Sequence, residues 1–169
     1  MSNKSEKENL HGWGPLLNLL EDRKQIARAM GGTAKLEKRR ADGALNARER
    51  IDLLLDPGTF REFGTLTAGI TEEGERPAPA DAFPAGFGEI HGRPVLVGAE
   101  DFTVMGGSIG LAAADKRYRL TQLAAQERVP LVFLLEGAGH RMTNALKGHG
   151  RTPNDLQGLV DLSGLVPTV

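Results

Sequence analysis

The chain has 169 residues, 40% hydrophobic and 25% charged, with a formal net charge of −1. That is length enough for one domain with a buried core, and the charge gives no bulk attraction to nucleic acid or anionic membranes. There is no cysteine, which excludes disulfides, thiolate nucleophiles and cysteine-ligated zinc and fits a cytoplasmic protein, and no apolar run reaches membrane-spanning length.

Residues 1–12 are polar and predict a frayed start. Over residues 15–30, Leu16, Leu19, Leu20, Ile26 and Met30 fall near helical spacing, with Pro15 in the first turn and Gly31-Gly32 at the end. Residues 33–40 predict a short, highly charged second helix. Asn46 and Glu49 have the spacing of a capping box, Ile51, Leu54 and Leu55 share one face of the helix that follows, and Asp56-Pro57-Gly58 stops it. Residues 59–63 predict a strand and 71–84 a loop. Residues 87–90 and 95–99 predict a hairpin around His91-Gly92-Arg93-Pro94. Residues 102–104 read as extended chain, Gly106-Gly107-Ser108 as a loop, and 111–128 as a long helix of good formers that crosses over to the next strand.

That strand, Leu131-Val132-Phe133-Leu134-Leu135, is an unbroken apolar run and predicts burial on both faces. It runs into Glu136-Gly137-Ala138-Gly139-His140-Arg141. A small-residue turn at the carboxyl end of a parallel strand leaves backbone N–H groups open where ligands of α/β sheets collect. Such amides can hold charge developing on a carbonyl oxygen. Beyond it, residues 141–153 are polar, 154–162 predict a helix capped by Asn154, and 166–169 predict the start of another buried strand whose unpaired edge invites aggregation.

Three stretches resemble one family. Gly43-Ala44-Leu45-Asn46-Ala47-Arg48-Glu49-Arg50-Ile51-Asp52-Leu53-Leu54-Leu55-Asp56-Pro57-Gly58-Thr59-Phe60 is similar to the opening of the β (carboxyltransferase) subunits of biotin-dependent acyl-CoA carboxylases, the propionyl-, acetyl- and methylcrotonyl-CoA enzymes. Asp101-Phe102-Thr103-Val104-Met105-Gly106-Gly107-Ser108 resembles a second signature of the family. The turn at 136–141 falls where the family carries Asp-Ser-Gly-Gly-Ala-Arg. The resemblance implies an α/β, crotonase-like (ClpP/crotonase) fold of β-β-α units, incomplete here. A helical extension at residues 1–42 would precede 43–169 as the first part of the carboxyltransferase N-terminal domain, in a fragment or truncated product of a longer subunit.

The resemblance also implies a function. Carboxyl passes from carboxybiotin, carried by a partner biotin carboxylase/biotin carboxyl carrier subunit, to the α-carbon of an acyl-CoA through an enolate, in a homo-oligomer built of dimers. Ala138 and Gly139 are then the catalytic pair, through their amides. Gly106, Gly107, Ser108, Gly137, His140 and Arg141 are the candidate substrate-binding residues. The chain departs from the family where Gly137 replaces serine, Ala138 glycine and His140 alanine. Other readings stand beside these. His140 reads also as a surface residue, Arg141 as a structural ion-pair partner, and Lys116 and Arg117 either as CoA-phosphate contacts or as a solvated helix face. The histidines show no metal-ligand spacing, so no metal is expected. Ser108 lacks a Ser-His-Asp setting. A catalytically silent acyl-CoA-binding or assembly module and a decarboxylase subunit of the same fold remain as alternatives.

Overall fold

The structure, a computed structural model, describes residues 12–69, 78–142 and 155–169. Three helices come first: α1 (Gly14–Arg28), α2 (Thr33–Ala41) and α3 (Ala47–Leu54). The capping box at α3 is complete. Asn46 Oδ1 accepts from the Glu49 amide at 3.0 Å, and Glu49 Oε2 accepts from the Asn46 amide at 2.9 Å. The α3 stop is tied to the sheet, because the Asp56 carboxylate takes the amides of His91 at 3.0 Å and Gly92 at 2.8 Å. Those bonds, Gly92 first, hold its carboxyl below the usual range.

Four strands form the main sheet in the order β1 (Arg61–Phe63), β4 (Ala85–Ile90), β5 (Arg93–Ala99), β6 (Leu131–Leu134). A separate two-stranded ribbon pairs β2 (Ala68–Gly69) with β3 (Ala78–Pro79). β1, β4 and β5 pair antiparallel, and the β4–β5 turn places His91 at φ 51 and Gly92 at φ 70, as a two-residue hairpin of the primed type requires. β5 and β6 are parallel, with Leu96 opposite Leu131 and Ala99 opposite Leu134. The crossover between them carries α4 (Leu111–Glu127), which α5 (Asp155–Asp161) packs against.

Alternation along β5 divides the core. Val95, Val97 and Ala99 pack with Ile51, Leu55 and Met30. Leu96 packs on the other face with Phe83, Leu120, Ala124, Leu131 and Leu162. Helices thus cover both faces, and each of the large fully buried side chains here contributes about 1.5–3 kcal/mol.

Several expectations are corrected. Of the apolar residues at helical spacing in α1 and its end, Leu16, Leu19 and Ile26 are exposed and only Met30, beyond the helix end, is buried. Residues 102–104 turn rather than extend: the buried Asp101 carboxylate accepts from Thr103 N at 3.0 Å and Thr103 Oγ1 at 2.6 Å, and Val104 N donates to Asp101 O. In β6 only Leu131 is fully buried, and Leu135 is exposed. Residues 166–169 do find a partner: Leu131 N donates to Pro167 O, Val169 N to Leu131 O and Phe133 N to Val169 O, which extends the sheet in parallel, although Val169 is 85% exposed. Asn154 and most of 141–153 lie outside the described residues.

The end of the expected loop is core. Ala78, Ala80, Asp81, Ala82 and Phe83 are all buried, and Ala80, Asp81 and Ala82 stand at φ 50, 48 and 58. A left-handed backbone disfavours each non-glycine residue by about 1–2 kcal/mol. Buried groups hold it there. The fully buried Asp81 carboxylate accepts from the Ala113 amide in the first turn of α4 at 2.8 Å and from Arg141 Nη1 at 2.7 Å. Lys116 Nζ donates to the carbonyls of Ala80 and Phe83.

Candidate functional site

The turn after β6 and the loop after β5 leave the sheet at the carboxyl ends of two paired parallel strands, where Glu100 N still donates to Leu134 O at 3.0 Å. Beyond that bond the two segments are laced together. Ala138 N donates to Gly106 O at 3.0 Å, Ile109 N to Gly139 O at 2.8 Å and Arg141 N to Ile109 O at 3.0 Å. Gly106 and Gly107, at φ 63 and 66, form the tight bend that lets the first loop lie against the second. Gly137 sits so close that a Cβ there would lie 2.3 Å from Gly107 O and 2.9 Å from the Glu100 carboxyl group. Gly106, Gly107, Ser108, Gly137, Ala138, Gly139 and Arg141, singled out from sequence, therefore meet in one place.

The amides of the turn differ. Those of Glu136, at 2.6 Å, and Gly137 donate to Glu100 Oε2, which turns them inward. Glu100 is 5% exposed and also takes Arg117 Nη1 at 3.0 Å, while Arg117 Nε meets Asp155 Oδ2 at 2.5 Å. Ala138 N–H is engaged by Gly106 O. Gly139 N–H has no acceptor among the described residues, and the residue is exposed. Of the two open amides expected, one is open here and the other is held 3.0 Å from a carbonyl.

Arg141 is a structural partner. It is 6% exposed, with Nη1 on Asp81, Nε 3.1 Å from Ser108 Oγ and Nη2 2.8 Å from Ser108 O. Its role is to lock the turn to the Ser108 loop. His140 is exposed and joins Ile109 only through the backbone. Both expectations for Lys116 and Arg117 are corrected: each is buried, so neither forms a solvated face nor is open to a phosphate. Burial lowers the Lys116 ammonium from an ordinary value near 10.5 to about 8, with Asp81 opposing. Burial likewise pushes the Asp101 carboxyl up, against the two bonds from Thr103.

Beside the turn lies a cavity of about 430 Å³, lined by Lys35, Lys38, Arg39, Asp42, Ala44, Phe102, Thr103 and Gly106. Sequence reading passed over it, although Lys35, Lys38 and Arg39 stand at i, i+3 and i+4 on one face of α2. Lys35 Nζ donates to Thr103 O at 3.0 Å, and the Gly31 amide to Thr103 Oγ1 at 3.0 Å, so the helical entry is anchored to the glycine loop. Three cations stand against one carboxylate in the lining, with a half-exposed Phe102 on the wall. Among the described residues no group of three His, Asp or Glu side chains has metal-binding geometry.

Comparison with known proteins decides the family. Residues 38–168 match the carboxyl transferase domain. The chain belongs to the carboxyl transferase domain family. Over 91% of its length it is 35% identical to the propionyl-CoA carboxylase beta chain of Cereibacter sphaeroides, and over 89% it is 35% identical to the methylmalonyl-CoA carboxyltransferase 12S subunit of Propionibacterium freudenreichii. It spans 31% and 29% of those relatives. The crystal structure of the transcarboxylase 12S hexamer with methylmalonyl-coenzyme A and methylmalonic acid bound superposes with a TM-score of 0.78, at 34% identity, over 93% of this chain and 31% of that one. The fold is an incomplete crotonase-like α/β fold, as expected.

Proposed function

We propose that this chain is the acyl-CoA-holding part of a carboxyltransferase, which moves a carboxyl group from carboxybiotin to the α-carbon of an acyl-CoA. The observation that carries the reading is that the laced turn at 136–141 lies beside the basic cavity, with Gly106 bonded to Ala138 of the one and lining the other. Names of relatives sharing about a third of their length support it.

The reaction needs the thioester to become an enolate: the α-carbon gives up a proton, which would pass to the biotin nitrogen freed as the carboxyl group leaves, and the α-carbon then takes that carboxyl group. Charge grows on the oxygen, so a preorganised donor acts on the transition state more than on bound substrate. Gly139 N–H is the donor that this chain presents. Ala138 N–H joins it when it leaves Gly106 O, a release that displaces no buried side chain because Ala138 is exposed. Glu100 keeps the two preceding amides off the reacting oxygen, and the Asp81–Arg141–Ser108 cluster sets where the turn sits. Lys35, Lys38 and Arg39 take the phosphates, and Phe102 the adenine face. Biotin supplies the activated carboxyl group. It belongs to a biotin carboxylase/carboxyl carrier partner, in a cytoplasmic assembly of homo-oligomers.

Isothermal titration of the whole protein with coenzyme A tests the binding half. A salt-sensitive affinity that falls about tenfold or more in Lys35→Met/Lys38→Met supports the reading. An affinity untouched by that pair contradicts it.

A further inference from the structure

Glu136 opens the turn, and its side chain reaches Arg39, a residue of the cavity wall. Its Oε2 accepts from Arg39 Nη2 and lies 3.3 Å from Arg50 Nη2. Arg39 lines the basic cavity, gives its Nε to Leu45 O at 2.7 Å, and has a side chain only 13% exposed. Arg50 is committed elsewhere as well, with Nη2 2.5 Å from Glu100 O. At the other end of the same residue, the Glu136 amide is the first of those held by Glu100. One residue is therefore bonded both to a cation facing the cavity and to the carboxylate that shapes the turn.

We propose that Arg39 and Glu136 form a latch through which an anion in the cavity is felt at the turn. A guanidinium has a fixed fork of donors, and the strongest pairs are those that take two of them. An incoming phosphate competes with Glu136 for that fork. As Arg39 swings to the anion, Glu136 is left to Arg50 alone, and the turn loses one of the ties that hold residues 136–138 inward. Release of Ala138 N–H from Gly106 O then needs less movement, so an occupied cavity favours the two-donor turn. The latch rests on the reading of the cavity as the acyl-CoA phosphate site.

Linkage makes the idea measurable from the ligand side. If the anion weakens Arg39–Glu136, then Arg39–Glu136 weakens the anion by the same factor. Glu136→Gln, which keeps the shape and removes the charge, should tighten coenzyme A about fivefold, at the lower end of usual couplings. Glu136→Asp, whose shorter arm draws the carboxylate back from Arg39, should tighten it in the same direction while keeping the charge.

The experiment is a double-mutant cycle on the whole protein with coenzyme A as the probe. Affinities are taken by titration for the parent, Glu136→Gln, Arg39→Met and the pair. Hydrogen exchange of the peptide covering residues 135–140 is followed with and without coenzyme A. The latch predicts that the Glu136→Gln gain shrinks to about twofold or less in the Arg39→Met background, and that coenzyme A speeds exchange in the parent but not in Arg39→Met. Equal gains in both backgrounds would mean that Glu136 acts only as a distant negative charge, and would overturn the latch. So would a Glu136→Asp variant that binds like the parent. The two readings fail separately. If Lys35→Met/Lys38→Met weakens coenzyme A but the cycle is additive, the cavity stands and the latch falls. If that pair leaves affinity unchanged, the cavity reading itself falls. Parallel arms with 3′-dephospho-coenzyme A and inorganic pyrophosphate show which phosphate engages Arg39.

Discussion

Gly137→Ser would restore the residue that the resembled turn carries, and the structure predicts that it does harm. A Cβ at this position meets Gly107 O at 2.3 Å and the Glu100 carboxyl at 2.9 Å. The first contact is backbone, so the two glycine loops must separate. Overpacking of this kind destabilises by about 1–3 kcal/mol. The second contact pushes on Glu100, a 5% exposed carboxylate that takes the amides of Glu136 and Gly137 and the guanidinium of Arg117. Weakening one charge-assisted bond adds about 1.5 kcal/mol or more. Together they give a central expectation of about 3.5 kcal/mol, which lowers the melting temperature by roughly 7–14 °C for a domain of this size. Gly137→Ala should behave alike, since the Cβ and not the hydroxyl is at fault. Ala138→Ser, at an exposed neighbour, should stay within about 0.5 kcal/mol of the parent. Thermal melts followed by circular dichroism decide it. A Gly137→Ser protein that melts with the parent would refute the close approach of the two loops.

Ala138→Pro removes the amide that reaches Gly106 O, so turnover should fall about 100-fold in steady-state assays, while Ala138→Gly keeps it within about threefold. Asp81→Asn leaves buried Arg141 without its counter-charge and α4 with a weaker cap; urea unfolding should show a loss of about 3–5 kcal/mol. Lys116 gives a pH signature. Its native pKa is lowered to about 8, so between about pH 8 and 10.5 the unfolded chain holds a proton that the native state has shed. Stability contributed by this group therefore rises with pH across that window, by about 3 kcal/mol in all. Urea midpoints at pH 7.5 and 10 should show a rise in the parent that Lys116→Met abolishes.

What was legible in the sequence was local or carried by contiguous motifs. The Asn46–Glu49 capping box, the hairpin around His91-Gly92 and the strand entering the 136–141 turn each depend on residues a few positions apart, and each is present, although the hairpin turn spans two residues rather than four and the strand is fully buried only at Leu131. The meeting of the two glycine loops was legible too, since the lacing of 106–109 to 138–141 follows once both leave neighbouring parallel strands. What escaped was long-range polar pairing. Nothing near Asp81 announces that it will cap a helix 32 residues away, and its left-handed neighbours Ala80 and Ala82 carry no turn signal. Lys116 and Arg117 looked like surface charges because helix periodicity alone does not say which face meets a buried carboxylate or carbonyl. The apolar residues of α1 show the reverse: helical spacing was right, yet Leu16, Leu19 and Ile26 face outward in the described residues.

The central claim is that this turn and cavity serve carboxyl transfer onto an acyl-CoA. The most direct measurement supplies the whole protein with a biotin carboxyl carrier charged with ¹⁴C-carboxybiotin and a panel of short acyl-CoA thioesters. The account predicts label at the α-carbon of at least one thioester, lost in Ala138→Pro and weakened through affinity in Lys35→Met/Lys38→Met. A folded protein that binds coenzyme A but moves no label to any of them would contradict it.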